Sequence, residues 1–306
     1  MVGRGPRKKI NKNKTKKPVK LNNTLERTEH VHRYNSCSAL KCLYLNARSL
    51  RNKMPELITL TDALKPDVIG VTENWRNSDI LDCEFSIPGY SMFRQDRENG
   101  CRGGGVLLLV NSNIGAIEVK LNNGFSEQLW CKIKIRNGEN FYIGVCYRSP
   151  NPEFSDNDKR LCDMIKEVHG KPVLLMGDFN YPDIEWLTMH GQSQTSQNFA
   201  NCIDDAFMTQ NVTEDTCNGA IVDLIITSEP EMVTSLSVLS ALGNSDHNMI
   251  SWDLLLSTAS SLFNRPCLNY AKADFVAIRE SLSSTDWDSL FFTVMLMIIG
   301  EYFIHC

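Results

Sequence analysis

Six acids and amides, one tyrosine and one histidine fall at the margins of short apolar runs. Asn46 closes the run in LYLNARSL, Glu73 closes VIGVTEN and Tyr147 closes GVCYRSPN. Asp178 and Asn180 follow PVLLMG, Asp223 lies in AIVDLIIT, and Asp246 with His247 precedes NMISWDLL. A single acid at such a place is most often a turn former or a cap. As a set they have a chemistry. The carboxylates of Glu73, Asp178, Asp223 and Asp246 with the amides of Asn46 and Asn180 are hard oxygen donors, suited to magnesium rather than zinc. A histidine with an acid to fix its tautomer handles protons or stabilises phosphate charge. In-line hydrolysis of a phosphodiester needs this inventory: a metal to neutralise oxygens, an activated water, and donors for developing charge.

The elements that must position these residues follow from hydrophobic period. Strands are expected at 41–46, 67–72, 104–110, 129–135, 140–147, 172–177, 221–227 and 248–255. In 129–135 Leu129, Cys131, Ile133 and Ile135 alternate with Lys132 and Lys134. Helical spacing appears in Met54, Leu57, Ile58 and Leu64, in Leu161, Met164, Ile165 and Val168, and in Phe199, Cys202, Ile203, Ala206 and Phe207. Strands that are apolar throughout need cover on both faces, so the pattern predicts stacked sheets with helices outside.

The ordered series Asn46, Glu73, Tyr147, Asp178-Phe-Asn180, Asp223 and Ser245-Asp246-His247 resembles the signature of the endonuclease/exonuclease/phosphatase superfamily. The wording LNARSLRNK, VTENW, RGGGVLL, YRSPN, GDFNYPDI, DLIIT and SDHNMI is closer still to the apurinic-type endonucleases of LINE-like (non-LTR) retrotransposons, over roughly residues 40–255. The resemblance implies a four-layered α/β/β/α sandwich of two packed mixed sheets with outer helices, its active site at one end of the paired sheets. By position, Asn46, Glu73 and Asp246 would hold Mg²⁺, with Mn²⁺ able to substitute. Asp178 would orient or deprotonate the attacking water, helped by Asn180. Tyr147 and His247 would contact the scissile phosphate, and Asp223 would fix and charge His247. Whether Asp178 or His247 is the base, and whether one metal or two are used, stay open. The implied activity is nicking of DNA to leave a 3′-hydroxyl that primes reverse transcription. Two alternatives stand beside it: a phosphatase or phospholipase of the same superfamily, and a catalytically silent retroelement fragment that binds DNA or partners.

Composition divides the chain into a basic tail (1–36), a dense body (37–256), a connector (257–289) and a short apolar end (290–306). Residues 1–20 hold nine Lys/Arg and no acid, leaving 23 basic against 36 acidic residues in the remainder. A lysine-rich segment without apolar period is expected to be a disordered arm, either a phosphate contact and nuclear address or a solvated tail. Because the body is acidic, the cations beside the catalytic segments, Arg48, Arg51, Lys53, Arg102 and Arg148, are the expected DNA contacts. No apolar h-region follows the basic residues and no C-x-x-C pair occurs, so a reduced, intracellular and nuclear protein is expected. His30, His32, Cys37 and Cys42 match no strong zinc spacing. The connector resembles the segment after the nuclease in LINE-like elements, whose element RNA and reverse transcriptase would be partners in the parent element. No polymerase signature appears, so the chain reads as truncated. The apolar run 291–299 is too short to span a bilayer, which takes about 20 residues, and no membrane partner is expected.

Deleting residues 1–20 is expected to weaken DNA binding and flatten its salt dependence, by about 0.9 in the log–log slope for each phosphate that the arm neutralises. Filter binding across a salt series checks this; an unchanged slope would make the arm a solvated tail.

Overall fold

The computed structural model describes residues 39–75, 81–97, 103–135, 138–150, 156–256 and 275–287. The tail, Arg102, the apolar end and much of the connector lie outside them. Within the described body two mixed sheets of six strands each are built on the same plan. In the first, β1 (Ala39–Asn46) runs parallel to β2 (Val68–Thr72) through a crossover helix, α1 (Met54–Leu64). In the second, β7 (Asn140–Tyr147) runs parallel to β8 (Val173–Asp178) through α2 (Asn157–Val168). All other pairings are antiparallel. On the first sheet β4 (Val106–Asn111) and β3 (Tyr90–Gln95) follow β2, while β14 (Met249–Leu255) and β13 (Val233–Leu239) flank β1. On the second, β6 (Gln128–Lys134) and β5 (Ile117–Val119) follow β7, while β12 (Asp223–Thr227) and β11 (Thr209–Gln210) flank β8. A separate short ribbon pairs β9 (Ile184–Glu185) with β10 (His190–Gly191).

Period-two alternation sorts the side chains into layers. Leu40, Cys42 and Tyr44 of β1 face Phe141, Ile143, Val145, Leu174 and Met176 between the sheets. Leu43 and Leu45, one residue out of phase, pack with Met54 and Leu57 of α1 on the outer face. Trp130, Cys146 and Leu175 pack outward against Leu161, Ile165 and Val168 of α2 and Phe199 and Ile203 of α3 (Gln194–Asp205). The order helix, sheet, sheet, helix is the expected four-layered sandwich.

One local expectation changes, and two local details are added to the reading. Phe207, placed on a helical face by its spacing, lies beyond the end of α3 with a left-handed backbone (φ 51°) and is 77% exposed. The connector contains a helix, α4 (Phe275–Ser284). Trp130, on the lysine-bearing face of β6, is fully buried against α2, so that face is only half polar.

Close packing is tightest next to the catalytic end. A Cβ built on Gly177 would lie 2.1 Å from the Cys146 carbonyl oxygen, between the two strands that end in Tyr147 and Asp178. The obstacle is backbone and cannot rotate away. Gly177→Ala is therefore expected to cost about 1–3 kcal/mol of stability, measured by urea unfolding. An unchanged midpoint would mean that the strands separate without penalty.

Candidate active site

Strand polarity brings the singled-out residues to one end. Asn46, Tyr147 and Asp178 are the last residues of β1, β7 and β8, and Glu73 follows the last residue of β2. Asp223 is the first residue of the antiparallel β12 and pairs directly with Asp178, while Tyr147 pairs with Asp178 from the other side. Asp246 and His247 lead into β14, which runs antiparallel beside β1. Chain ends of parallel strands and chain starts of their antiparallel neighbours thus meet at a single rim.

Asn46 is the hinge of the group. Its Nδ2 donates to Glu73 Oε1 at 3.0 Å and to Asp178 Oδ2 at 2.9 Å. Its Oδ1 accepts the Arg48 backbone N–H at 3.0 Å, which fixes the amide's orientation. The residue expected to offer an oxygen to a metal therefore turns its nitrogen to the carboxylates and clamps them. Asp178 Oδ1 accepts the Asn180 N–H at 3.1 Å. Glu73 Oε2 accepts Trp75 Nε1–H at 2.8 Å.

Behind them lies a second network. His247 Nδ1 donates to Asp223 Oδ2 at 2.7 Å, and the Tyr44 hydroxyl donates to Asp223 Oδ1 at 2.8 Å. Since that is the only Tyr44 proton, Thr72 Oγ1, 2.8 Å away, must donate to the Tyr44 oxygen. The sequence gives Tyr44 no mark beyond its apolar neighbours, yet it satisfies half of a carboxylate with no exposed surface. Burial opposes charge on His247, but the hydrogen bond and charge of Asp223, with Asp178 and Asp246 nearby, raise its pKa to about 9. At neutral pH it is an imidazolium whose Nε2–H is left for a ligand. Burial, then the charge of Asp223, pushes the Asp178 carboxyl well above its ordinary range. Burial also raises the Tyr147 phenol, reinforced by Glu73 and Asp178, so it stays a neutral donor.

Asp178, Asp223 and His247 offer ligand atoms within 4.8 Å of one another. Set against Glu73, Asp178, Asp223 and Asp246, one imidazolium and the Arg48 guanidinium, 2.5 Å from Asp246 Oδ2, leave negative charge in excess. A hard divalent cation fits that donor set and that deficit. Five of the ten non-glycine residues with left-handed φ among the described residues are here: Arg48, Ser49, Glu73, Trp75 and Asn180. Backbone strain concentrated at one rim is the usual mark of a functional site.

Residues 43–247 match the family model described as Endonuclease/Exonuclease/phosphatase family. The chain belongs to this family. Among solved structures it is similar to the endonuclease domain of TRAS1, a telomere-specific non-LTR retrotransposon, at 13% identity and a TM-score of 0.54, covering 71% of this chain and 99% of that one. It is similar also to the AP endonuclease LMAP from Leishmania major, at 13% identity and a TM-score of 0.59 over 71% and 88% of the two chains. The 3′ phosphatase NExo from Neisseria, bound to product DNA hairpin, aligns at 14% identity and a TM-score of 0.56 over 71% and 99%. A search of curated proteins finds no match.

The cations expected around this family's site are not equivalent. Lys53 is buried, donates to the Ala47 carbonyl at 2.6 Å and is held below its ordinary pKa by desolvation, so it braces the β1–α1 turn. Arg148 donates to Asp158 at 2.6 Å and to the Asn180 carbonyl at 2.9 Å, and lies over the Tyr181 ring; it holds the loop after β8. Arg48 and Arg51 are exposed, Arg51 lying 3.3 Å from Glu84. Arg102 is outside the described residues.

One pair was not visible in the sequence. Arg97 Nε meets Glu127 Oε1 at 2.6 Å, with side chains 11% and 8% exposed, and the Arg97 guanidinium lies 5.5 Å from the Tyr147 ring centroid. Glu127 also accepts the Gly105 N–H through its other oxygen, and its carbonyl accepts the Tyr147 N–H. A Cβ on Gly104 would lie 2.4 Å from both Arg97 and Glu127, and Gly103, Gly104 and Gly105 all have positive φ. The triple glycine thus admits a buried ion pair behind Tyr147. The only signal was an Arg and a Glu thirty residues apart, flanking a glycine run.

Removing one partner would leave a buried charge uncompensated. Glu127→Gln is expected to lose about 3–5 kcal/mol of stability, and Arg97→Met/Glu127→Leu much less than the two single losses combined. Chemical unfolding of the double-mutant cycle measures this; additive losses would show that the pair is not coupled.

Proposed function

We propose that this chain is a divalent-metal-dependent DNA endonuclease that nicks a target strand and leaves a 3′-hydroxyl for target-primed reverse transcription. The observation that carries the reading is the convergence of Asp178, clamped by Asn46 and Asn180, with the Asp223–His247 pair at one rim of the paired sheets. The likeness in fold to a retrotransposon endonuclease domain and to DNA-processing enzymes supports DNA as substrate.

The surroundings of each residue support a task for it. Asp178 keeps both oxygens oriented by N–H donors, which sets it to take the proton of an attacking water. His247, anchored and charged by Asp223, donates through Nε2 to a phosphate oxygen as negative charge develops there. Tyr147, with its phenol kept neutral, donates to the same phosphate. Asn46 spaces Glu73 from Asp178 so that neither carboxylate drifts. Glu73 and Asp246, with Asp178 close by, would hold Mg²⁺ or Mn²⁺, which when bound neutralises phosphate oxygens.

Nicking of supercoiled plasmid should require Mg²⁺ or Mn²⁺ and be abolished by EDTA. Asp178→Asn and His247→Ala should each slow turnover on the order of 10²–10⁴-fold with DNA affinity little changed. Asp223→Asn should lose most of the His247 contribution, and the Asp223→Asn/His247→Ala pair should be scarcely slower than His247→Ala alone. Wild-type rates in both Asp178→Asn and His247→Ala would move the active site elsewhere. A folded, DNA-bound and silent wild type would favour the non-catalytic reading, and hydrolysis of a soluble phosphoinositide without nicking would favour the phosphatase reading.

A further inference from the structure

The turn after β11 carries a thiol to the edge of the same rim. Cys217 and Ala220 exchange backbone hydrogen bonds, N to O at 3.1 Å and 2.9 Å, around Asn218 and Gly219, both with positive φ (49° and 78°). That is the two-residue hairpin for which Asn-Gly is the preferred sequence. Cys217 is also in β-bridge register with His247, and the Asn248 N–H donates to the Thr216 carbonyl at 2.8 Å. The backbone of Cys217 is therefore fixed from two sides, facing the residue whose ring the proposed reaction uses. The Cys217 sulfur, an Asp246 carboxylate oxygen and a His247 ring nitrogen all lie within 4.8 Å of one another. Cys217 is half-buried and Asp246 exposed, so a cation can reach them.

The donor types differ from those on the other side of Asp246. A thiolate, an imidazole and a carboxylate are the ligands of zinc and its thiophilic relatives, and three of them with an open fourth position make a common coordination. Magnesium has no use for sulfur. We propose that Cys217, Asp246 and His247 form a second metal site, selective for Zn²⁺ and other thiophilic divalent cations, that switches the enzyme off. Binding releases the thiol proton and one proton of the His247 imidazolium to solvent and seats the cation on the three side chains. It competes with Arg48 for Asp246 and occupies a His247 nitrogen. If that nitrogen is Nε2 the phosphate loses its donor; if it is Nδ1 the bond to Asp223 breaks. Either way the histidine is withdrawn. Metal uptake is independent of the nuclease reading, whereas the inhibitory consequence rests on it.

Cobalt(II) is the probe, because a thiolate ligand gives a sulfur-to-cobalt charge-transfer band in the near ultraviolet. Full-length, metal-stripped and reduced protein, titrated with Co²⁺ without DNA, is expected to develop that band and to lose it when Zn²⁺ is added. Cys217→Ser should abolish the band. Asp246→Asn, which keeps the thiol, should retain it with affinity at least about tenfold weaker, as expected when a ligand rather than a supporting residue is removed. Circular dichroism identifies a variant that fails to fold, and the other variant then decides. No band in the wild type, or an equal band in Cys217→Ser, overturns the site. In the nicking assay each protein is compared with itself: Zn²⁺ added to the Mg²⁺ reaction should inhibit wild type at least about tenfold more strongly than Cys217→Ser. Equal inhibition overturns the switch. A protein that gives the band but never nicks retains the site and loses the nuclease reading.

Discussion

Asp178 and Asp223 are opposite partners on neighbouring antiparallel strands, and both are buried. Like charges so placed repel, and the low polarity of a sheet interior magnifies the repulsion. Nearly every other feature of the rim answers that conflict. Asn46, the Asn180 N–H and Tyr44 supply hydrogen-bond donors, and His247 supplies a positive charge. The high proton affinity of Asp178 and the high pKa of His247 are two expressions of the same crowding. A site that strains to hold its own charges is prepared to receive a cation and to lend a proton acceptor.

The likenesses to solved structures run at 13–14% identity, so little of the packing is shared residue by residue. What the likeness carries is the fold, which in this chain is two parallel pairs, each closed by a helix, with their chain ends turned to one rim. Layer by layer the core is satisfied by any apolar set of suitable volume, whereas the rim tolerates only particular donors and acceptors at particular strand ends.

That difference explains what could be read without coordinates. The eight expected strands are the eight inner strands, four in each sheet, because burial on one or both faces writes an apolar run or a clean alternation into the sequence. The four edge strands β3, β5, β11 and β13 were missed. An edge strand borrows its order from a neighbour and can be as polar as YSMFRQ or as short as Thr209–Gln210. The rim residues were legible because each lies at, or within three residues of, the end of an inner strand. The cations were not, since the sequence records a charge but not its direction. Lys53 and Arg148 turn inward to backbone carbonyls, and Arg97 and Glu127, unremarked in the sequence, find each other across a glycine turn. Asn46 shows the same limit at the scale of one amide: its presence was evident, its orientation was not.

The pairing of β14 with β1 carries a consequence for how the molecule comes into being. Strand 39–46 is among the first segments of the body to leave a ribosome, and its antiparallel partner 249–255 is the last of the sheet strands. Until about two hundred further residues have been made, β1 lacks a neighbour on one side and His247 does not exist. Contacts this distant in sequence form late and slowly. The last sheet strand to be made therefore both completes the first sheet and brings His247 to the rim, so that sheet and rim are finished in one event.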